Sequence, residues 1–380
     1  MPVPTHRPDD SDRSSTPPQN VGRAAVAELQ HCDDLTRATT PLASDRLIDG
    51  HGRVHRSLRI SVTDRCNIRC FYCMPEEDVS FVAHDEVLTF EEIARVVSIL
   101  AAVGIRDVRL TGGEPLVRRD LPKLVEMLSQ IEGVEDLAMT TNAILLPRFA
   151  APLREAGLKR LNISLDTLNE ATFRRITRRA GIGRVLDGID AAIAAGFESI
   201  RLNALAIRDL TEAEITPLVE FATSRSLTMR FIEYMPLDAE RRWDRSQVLS
   251  GEEILARLRA RFGELRPVAP PQESQPARDF ELVDVAADAT GRLPRVGLIR
   301  PVTAPFCGAC DRLRLTADGT IRNCLFSQRE WGLKRLLRDG HSDAELLRQV
   351  RAAVAAKELG HLISRPGFVQ PERSMFQIGG

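Results

Sequence analysis

The chain has 380 residues, 43% of them apolar, with 52 Lys and Arg against 53 Asp and Glu, a formal net charge of −1. That composition allows one large buried core, and the near-neutral charge excludes a chain-wide attraction to nucleic acid or to an anionic membrane, so any phosphate site has to be local. No apolar run approaches the roughly 18 to 20 residues that cross a bilayer and no signal-peptide core stands at the N-terminus, so the expected setting is cytoplasmic.

In chain order, residues 1–45 are rich in Pro, Ser, Thr, Asp and Arg without apolar periodicity, the composition of a disordered extension. From Leu58 onward short β-prone runs alternate with helical patterns. Strands are predicted at 58–62, 107–111, 136–140, 160–164, 199–206 and 228–232, with helices at 91–103, 121–131, 148–156, 184–195 and 212–226. Thr89 with Glu92 and Thr211 with Glu214 read as capping boxes, and Gly104, Gly157 and Gly196 as helix C-caps. Strict alternation implies parallel strands joined by crossover helices. Six such units make an α/β fold, a partial (β/α)6 TIM-like barrel, with chemistry at the strand C-termini. Residues 46–240 are assigned to this barrel and 241–380 to a C-terminal region, which opens with a capping box at Ser250 and Glu253 and a Pro-rich exposed connection over 267–276.

The cytosol keeps thiols reduced, so six clustered cysteines read as metal ligands or nucleophiles before disulfides, with Cys32 standing apart. Cys66, Cys70 and Cys73 form a C-x3-C-x2-C loop after the first strand. Three thiolates can hold a 4Fe–4S cubane by three irons and leave the fourth open to the amino and carboxylate groups of S-adenosylmethionine. That is the chemistry of a radical S-adenosylmethionine enzyme, in which one electron releases a 5′-deoxyadenosyl radical. The rival readings are inert thiols on one helix face and a zinc site, for which His84 lies outside ordinary ligand spacing. Tyr72, inside the loop, is placed to pack on the cluster or the adenine.

The second trio, Cys307-x2-Cys310-x13-Cys324, alone serves zinc or iron–sulfur equally well. Beside the first trio, and with no His nearby in sequence, it reads as a second cluster with one open iron. Arg312 and Arg314, two apart, could share one side of a strand and meet an anion there; Arg109 and Thr111 share a side of the second strand. Gly112 and Gly113 form either a tight turn or a ligand site. Glu114 either bonds the amino group of S-adenosylmethionine or caps the next helix.

The run from Leu58 to Asn67, the Met74-Pro75 step, Thr111 to Leu116, Arg230 to Met235, the second trio with its two arginines, and the terminal Gly379-Gly380 together resemble the GTP 3′,8-cyclase family. The resemblance runs from about residue 46 to the end. It implies conversion of GTP to (8S)-3′,8-cyclo-7,8-dihydroguanosine 5′-triphosphate, which opens molybdenum cofactor biosynthesis, with two 4Fe–4S clusters and S-adenosylmethionine as cosubstrate. It places Tyr72, Gly113, Ser164 and Met235 around S-adenosylmethionine, and guanine on the open iron of the second cluster. Arg59, Arg109, Thr140, Arg201, Arg312 and Arg314 would hold ribose and triphosphate, with the Gly-Gly tail threading into the pocket. The implied partners are an electron donor of flavodoxin or ferredoxin type and a downstream cyclic pyranopterin monophosphate synthase; a homodimer is left open, and neither nucleic acid nor membrane is expected. Two positions depart from the family pattern: Arg201 stands where Lys is usual, and Ala143 follows Asn142 where Gly is usual. The rivals are a radical enzyme that modifies a peptide with an auxiliary cluster, and a non-catalytic metal-binding or redox-sensing protein.

Overall fold

The computed structural model describes residues 46–363 and 365–379. The predicted extension at 1–45, Cys32 and Gly380 lie outside them. Strands β1 (Ser57–Ser61), β2 (Asp107–Thr111), β3 (Asp136–Thr141), β4 (Arg160–Ser164), β5 (Ser199–Ala206) and β6 (Thr228–Glu233) lie side by side in sequence order, all parallel. Each agrees with its predicted run to within a residue. The outer faces of these strands carry the core, as β5 illustrates: Ile200, Leu202, Ala204 and Ala206 are buried while Arg201 and Asn203 alternate toward the other side.

The later strands extend the same sheet at both edges. β7 (Leu265–Pro267), β8 (Ala277–Leu282) and β9 (Arg295–Ile299) join beyond β6, with β9 parallel to β6, β8 antiparallel to β9 and β7 antiparallel to β8. β10 (Arg312–Leu315) lies parallel to β1, and β11 (Thr320–Arg322) and β12 (Trp331–Gly332) complete that edge. The order is therefore β12-β11-β10-β1-β2-β3-β4-β5-β6-β9-β8-β7, with eight consecutive parallel strands from β10 to β9. This places residues from the two ends of the chain side by side at the β1–β10 seam.

Helices α1 (Phe90–Ala102), α2 (Leu121–Ser129), α3 (Leu146–Glu155), α4 (Glu170–Thr177), α5 (Ile182–Ala194) and α6 (Ile215–Thr223) are the crossovers, followed by α7 (Gly251–Phe262), α8 (Lys334–Arg338), α9 (Asp343–Ala355) and the short α10 (Met375–Ile378). The boxes at Thr89 and Ser250 form as predicted, and Gly104, Gly157 and Gly196 all take positive φ. The box at Thr211 does not form. The Thr211 hydroxyl donates instead to the Leu205 carbonyl at 2.7 Å, Glu214 accepts from Leu168 N–H at 3.1 Å, and the stretch begins as a 3-10 turn before α6. Helix α4, absent from the predicted elements, is capped by Asn169, whose Oδ1 accepts from Ala171 and Thr172 N–H.

Candidate active site

The C-terminal ends of the parallel strands open into one cavity of about 480 Å³. Its walls include Cys66, Cys70, Tyr72, Cys73, Gly113, Ser164 and Met235 toward one end, and Arg59, Arg109, Thr140, Arg201, Arg312 and Arg314 along its length. Every residue assigned from sequence to S-adenosylmethionine or GTP thus lines a single space. The second trio stands just behind its wall, since Phe306, Asp311 and Leu325, each adjacent in sequence to one of those cysteines, are lining residues. The Pro-rich connection over 267–276, expected to be exposed, also borders the cavity through Gln272, Ser274 and Gln275.

The first cysteine loop is held by backbone on two sides. Arg69 and Phe71 N–H donate to the Thr177 and Ile176 carbonyls at the end of α4, and Gly113 and Glu114 N–H donate to Thr63 and Arg65 O at 2.7 and 2.8 Å. Gly112 and Gly113 are needed for that second contact: a Cβ at position 113 would stand 2.4 Å from Arg65 O and 2.7 Å from Asp64 O. Glu114 takes the capping role, its carboxylate accepting from Leu116 N–H at 3.2 Å, Asn142 N–H at 2.7 Å and the Thr141 hydroxyl at 2.7 Å. Burial outweighs those bonds and raises its pKa to about 7. Tyr72 is pinned by a 2.6 Å hydrogen bond to Asp166, which also accepts from Leu205 N–H. Burial, with Glu114 next, raises Cys66 to about 12, and burial drives Cys70 and Cys73 up as well. Three desolvated thiols of this kind become thiolates when a metal supplies the compensating charge.

Register explains the cationic wall. Arg59 lies opposite Arg314 on one neighbouring strand and Arg109 on the other, so three guanidinium groups sit at one level across β10, β1 and β2. Among the described residues, neither Arg59 nor Arg109 has a carboxylate within ion-pair distance, Arg312 meets Asp311 only at 4.0 Å, and Arg109 Nε and Arg312 Nη2 are buried without a hydrogen-bond partner. Burial, followed by the neighbouring arginines, depresses Arg59, Arg109 and Arg201, the last to about 9. Such a group gains from a polyanion that the protein itself does not provide. Arg230 and Arg160, also lining residues, already have the carboxylates Asp279 and Asp136. The tail reaches the same place: Gly379 O accepts a hydrogen bond from Arg314 Nη1.

At the second trio, burial raises Cys310 but Arg312 and Lys357 more than offset it, leaving the thiol at about 7. The fold also brings His361 alongside, which sequence spacing hid: its backbone N–H faces the Cys307 thiol and its ring stands edge-on to Phe326 at 5.2 Å. Among the described residues, however, no three His, Cys, Asp or Glu side chains form a group able to hold one metal ion. A cubane takes one thiolate at each liganded iron, so its ligands stand around it instead of converging on one ion. Two sets of three soft sulfur donors fit iron–sulfur clusters better than tetrahedral zinc. All six cysteines among the described residues are free.

Sequence reasoning gave no role to Arg160, Asp166, Lys357 or the segment 49–55, and only quoted Arg230 within a motif. Arg230 carried a usable signal, since it occupies in β6 the alternation that places Arg201 in the cavity from β5.

Residues 60–222 match the Radical SAM superfamily, and residues 227–363 match Molybdenum Cofactor Synthesis C. The chain is 55% identical over 346 residues to a GTP 3′,8-cyclase of Rhodopirellula baltica, covering 91% of this chain and 94% of that one. It is 42% identical over 378 residues to a GTP 3′,8-cyclase of Corynebacterium glutamicum, covering 97% and 98%. Among solved structures, SuiB of Streptococcus suis bound to S-adenosylmethionine matches with a TM-score of 0.52 at 16% identity, over 80% of this chain and 69% of that one, a likeness of fold alone.

Proposed function

The chain belongs to the GTP 3′,8-cyclase family, and from that membership we propose how its cavity divides the work between S-adenosylmethionine and GTP. It is a radical S-adenosylmethionine enzyme of molybdenum cofactor biosynthesis that carries two 4Fe–4S clusters and converts GTP to (8S)-3′,8-cyclo-7,8-dihydroguanosine 5′-triphosphate. Cys66, Cys70 and Cys73 would hold the cluster that, with S-adenosylmethionine bound, would supply a 5′-deoxyadenosyl radical to remove the ribose 3′ hydrogen; C3′ would then join C8, and one electron and one proton would quench the resulting ring radical to give the dihydro product.

The residues do the positioning. Tyr72, fixed by Asp166, together with Gly113, Ser164 and Met235, would border S-adenosylmethionine at the loop end of the cavity. Arg59, Arg109 and Arg314 at one register level, with Arg201, Arg312 and Thr140, would grip ribose and triphosphate, while Cys307, Cys310 and Cys324 hold the cluster that receives guanine. Gripping the substrate at both ends leaves a single hydrogen facing the radical, the entropic part of the rate enhancement. The observation that carries this reading is the uncompensated arginine row. It lies in the same cavity as the first cysteine loop and beside the second.

The reading extends to an electron donor of flavodoxin or ferredoxin type, because the first cluster has to be reduced for each cleavage, and to a downstream cyclic pyranopterin monophosphate synthase that consumes the product. It also extends to a cytosolic setting, supported by the six cysteines among the described residues, all of them free, and to the division at residue 240 between barrel and auxiliary-cluster region. A homodimer is a further part of the reading, and sedimentation of the loaded enzyme tests it. The central test is anaerobic reconstitution with iron and sulfide, followed by S-adenosylmethionine, a reductant and GTP. GTP-dependent release of 5′-deoxyadenosine with the cyclised nucleotide is expected. Intact clusters without that dependence would overturn the assignment, and dependence on a peptide would establish the rival.

A further inference from the structure

Lys357 is one of only four lysines in the chain, and it is 4% exposed. It follows α9, and its ammonium donates to the Arg312 carbonyl at 2.8 Å and stands 3.7 Å from Cys310 Sγ. It does not line the cavity, so it is not among the cations available to the nucleotide. Nor does any carboxylate among the described residues pair with it: its charged surroundings are Cys310 and Cys324, which attract it, and Arg53 and Arg312, which repel it. A buried ammonium without an anion is costly, so the anion has to be the sulfur it faces.

The backbone around it is built to hold this contact. Arg53 Nη2 donates to Glu358 O at 2.7 Å, and its Nη1 donates to Leu359 O at 3.0 Å and Cys307 O at 2.8 Å, tying the segment after Lys357 to the cysteine loop itself. Gly360 lies flat against that loop, where a Cβ would stand 3.2 Å from Cys307 Cβ and 3.7 Å from its Sγ. Residues 357–361 therefore form a strap that offers a side-chain N–H to one ligand of the second trio and the His361 backbone N–H to another.

We propose that Lys357 is the charge partner of the second cluster, donating an N–H···S hydrogen bond to Cys310 and raising the cluster's reduction potential. The inference rests on the reading that Cys307, Cys310 and Cys324 hold a cluster. Three thiolates outweigh the charge of an oxidised cubane core, and each added electron makes the site more negative. A fixed cation and hydrogen bonds to sulfur therefore favour the reduced form. Lys357 is a positioning residue in this scheme; it touches a ligand, not the substrate.

The test is an anaerobic redox titration of the second cluster by electron paramagnetic resonance, in the reconstituted full chain carrying Cys66→Ala, Cys70→Ala and Cys73→Ala so that one cluster is observed. Adding Lys357→Met is expected to lower the reduced-to-oxidised ratio at a fixed poise at least tenfold, a fall of about 59 mV for a one-electron couple, whereas Lys357→Arg retains most of the potential. Lys357→Met with full iron and an unchanged potential would overturn the proposal. Absence of iron from the background chain would instead remove the cluster reading on which it rests. Should Lys357→Met fail to load, pulsed resonance on the Lys357-containing chain labelled with 15N-lysine decides: one lysine nitrogen coupled to the reduced cluster supports the contact, and none refutes it.

Discussion

Ala143 sits at φ +65°, a left-handed conformation that costs an L residue roughly 1 to 2 kcal/mol. Its neighbours hold it there: Ala143 N–H donates to the Thr141 hydroxyl at 3.0 Å and Ile144 N–H to Asn142 Oδ1 at 3.2 Å, while Asn142 also reaches Asn67 beside the first ligand. The turn thus needs φ > 0 even though this chain lacks glycine at that position. Ala143→Gly is expected to raise the unfolding free energy by about 1 kcal/mol, reduced somewhat by the greater freedom of glycine in the unfolded chain. Urea denaturation measures this, and an unchanged or lower midpoint would refute stored strain. The two cysteine trios separate at the same scale. Cys70→Ala should abolish release of 5′-deoxyadenosine, whereas Cys324→Ala should abolish cyclised product and leave some uncoupled release. Loss of the first cluster in both variants would mean that the two sites are not independent.

Packing between elements makes the glycines of the β2 loop sharper than a turn propensity. With Arg65 O only 2.4 Å from a Cβ at position 113, Gly113→Ala has to push the β2 loop away from the β1 loop and break the hydrogen bonds that Gly113 and Glu114 donate to Thr63 and Arg65. The expected result is a loaded chain with about four irons instead of about eight, the loss falling on the first cluster; iron and sulfide analysis measures it, and a full complement would show that the loop yields. Much at this scale was legible in sequence. Six strands and five crossover helices follow from the change between period two and period 3.6, and the alternation in Arg109-Leu110-Thr111 placed its polar residues on one face. Helix α4 was not legible, because its eight residues carry only Phe173 and Ile176 as large apolar anchors. The Thr211 box failed because β5 and the β4 loop offered its two side chains other partners. Nor could local periodicity reveal that β10 pairs with β1, and that pairing is what puts Arg314 beside Arg59.

Across the whole molecule, the segment before β1 and the strap after α9 close on each other around one buried carboxylate. Asp49 accepts from Arg53 Nε at 2.6 Å and lies 3.1 Å from His55 Nε2, and Arg53 carries the link onward to Cys307, Glu358 and Leu359. The histidine is fully buried. Burial, and after it the cation on Lys357, lower its pKa from 6.5 to about 4 despite the opposing pull of Asp49, so it enters the fold neutral and donates Nε2–H. Between these two values the unfolded chain binds the proton and the folded chain does not, so stability rises with pH there and is lost as pH falls below 6.5. The loss from this one group should reach about 1 kcal/mol by pH 5.5 and ~3 kcal/mol once pH passes the folded value. His55→Asn removes the titrating ring, so the variant is expected to be less stable at pH 7.5 yet to lose less between pH 7.5 and 5.5. Anaerobic urea denaturation of both proteins at the two pH values measures the difference. Equal losses would mean that the ring titrates in the fold as it does in the unfolded chain, and a smaller loss in the native protein than in the variant would mean that the two segments are joined by an ion pair instead of a neutral hydrogen bond.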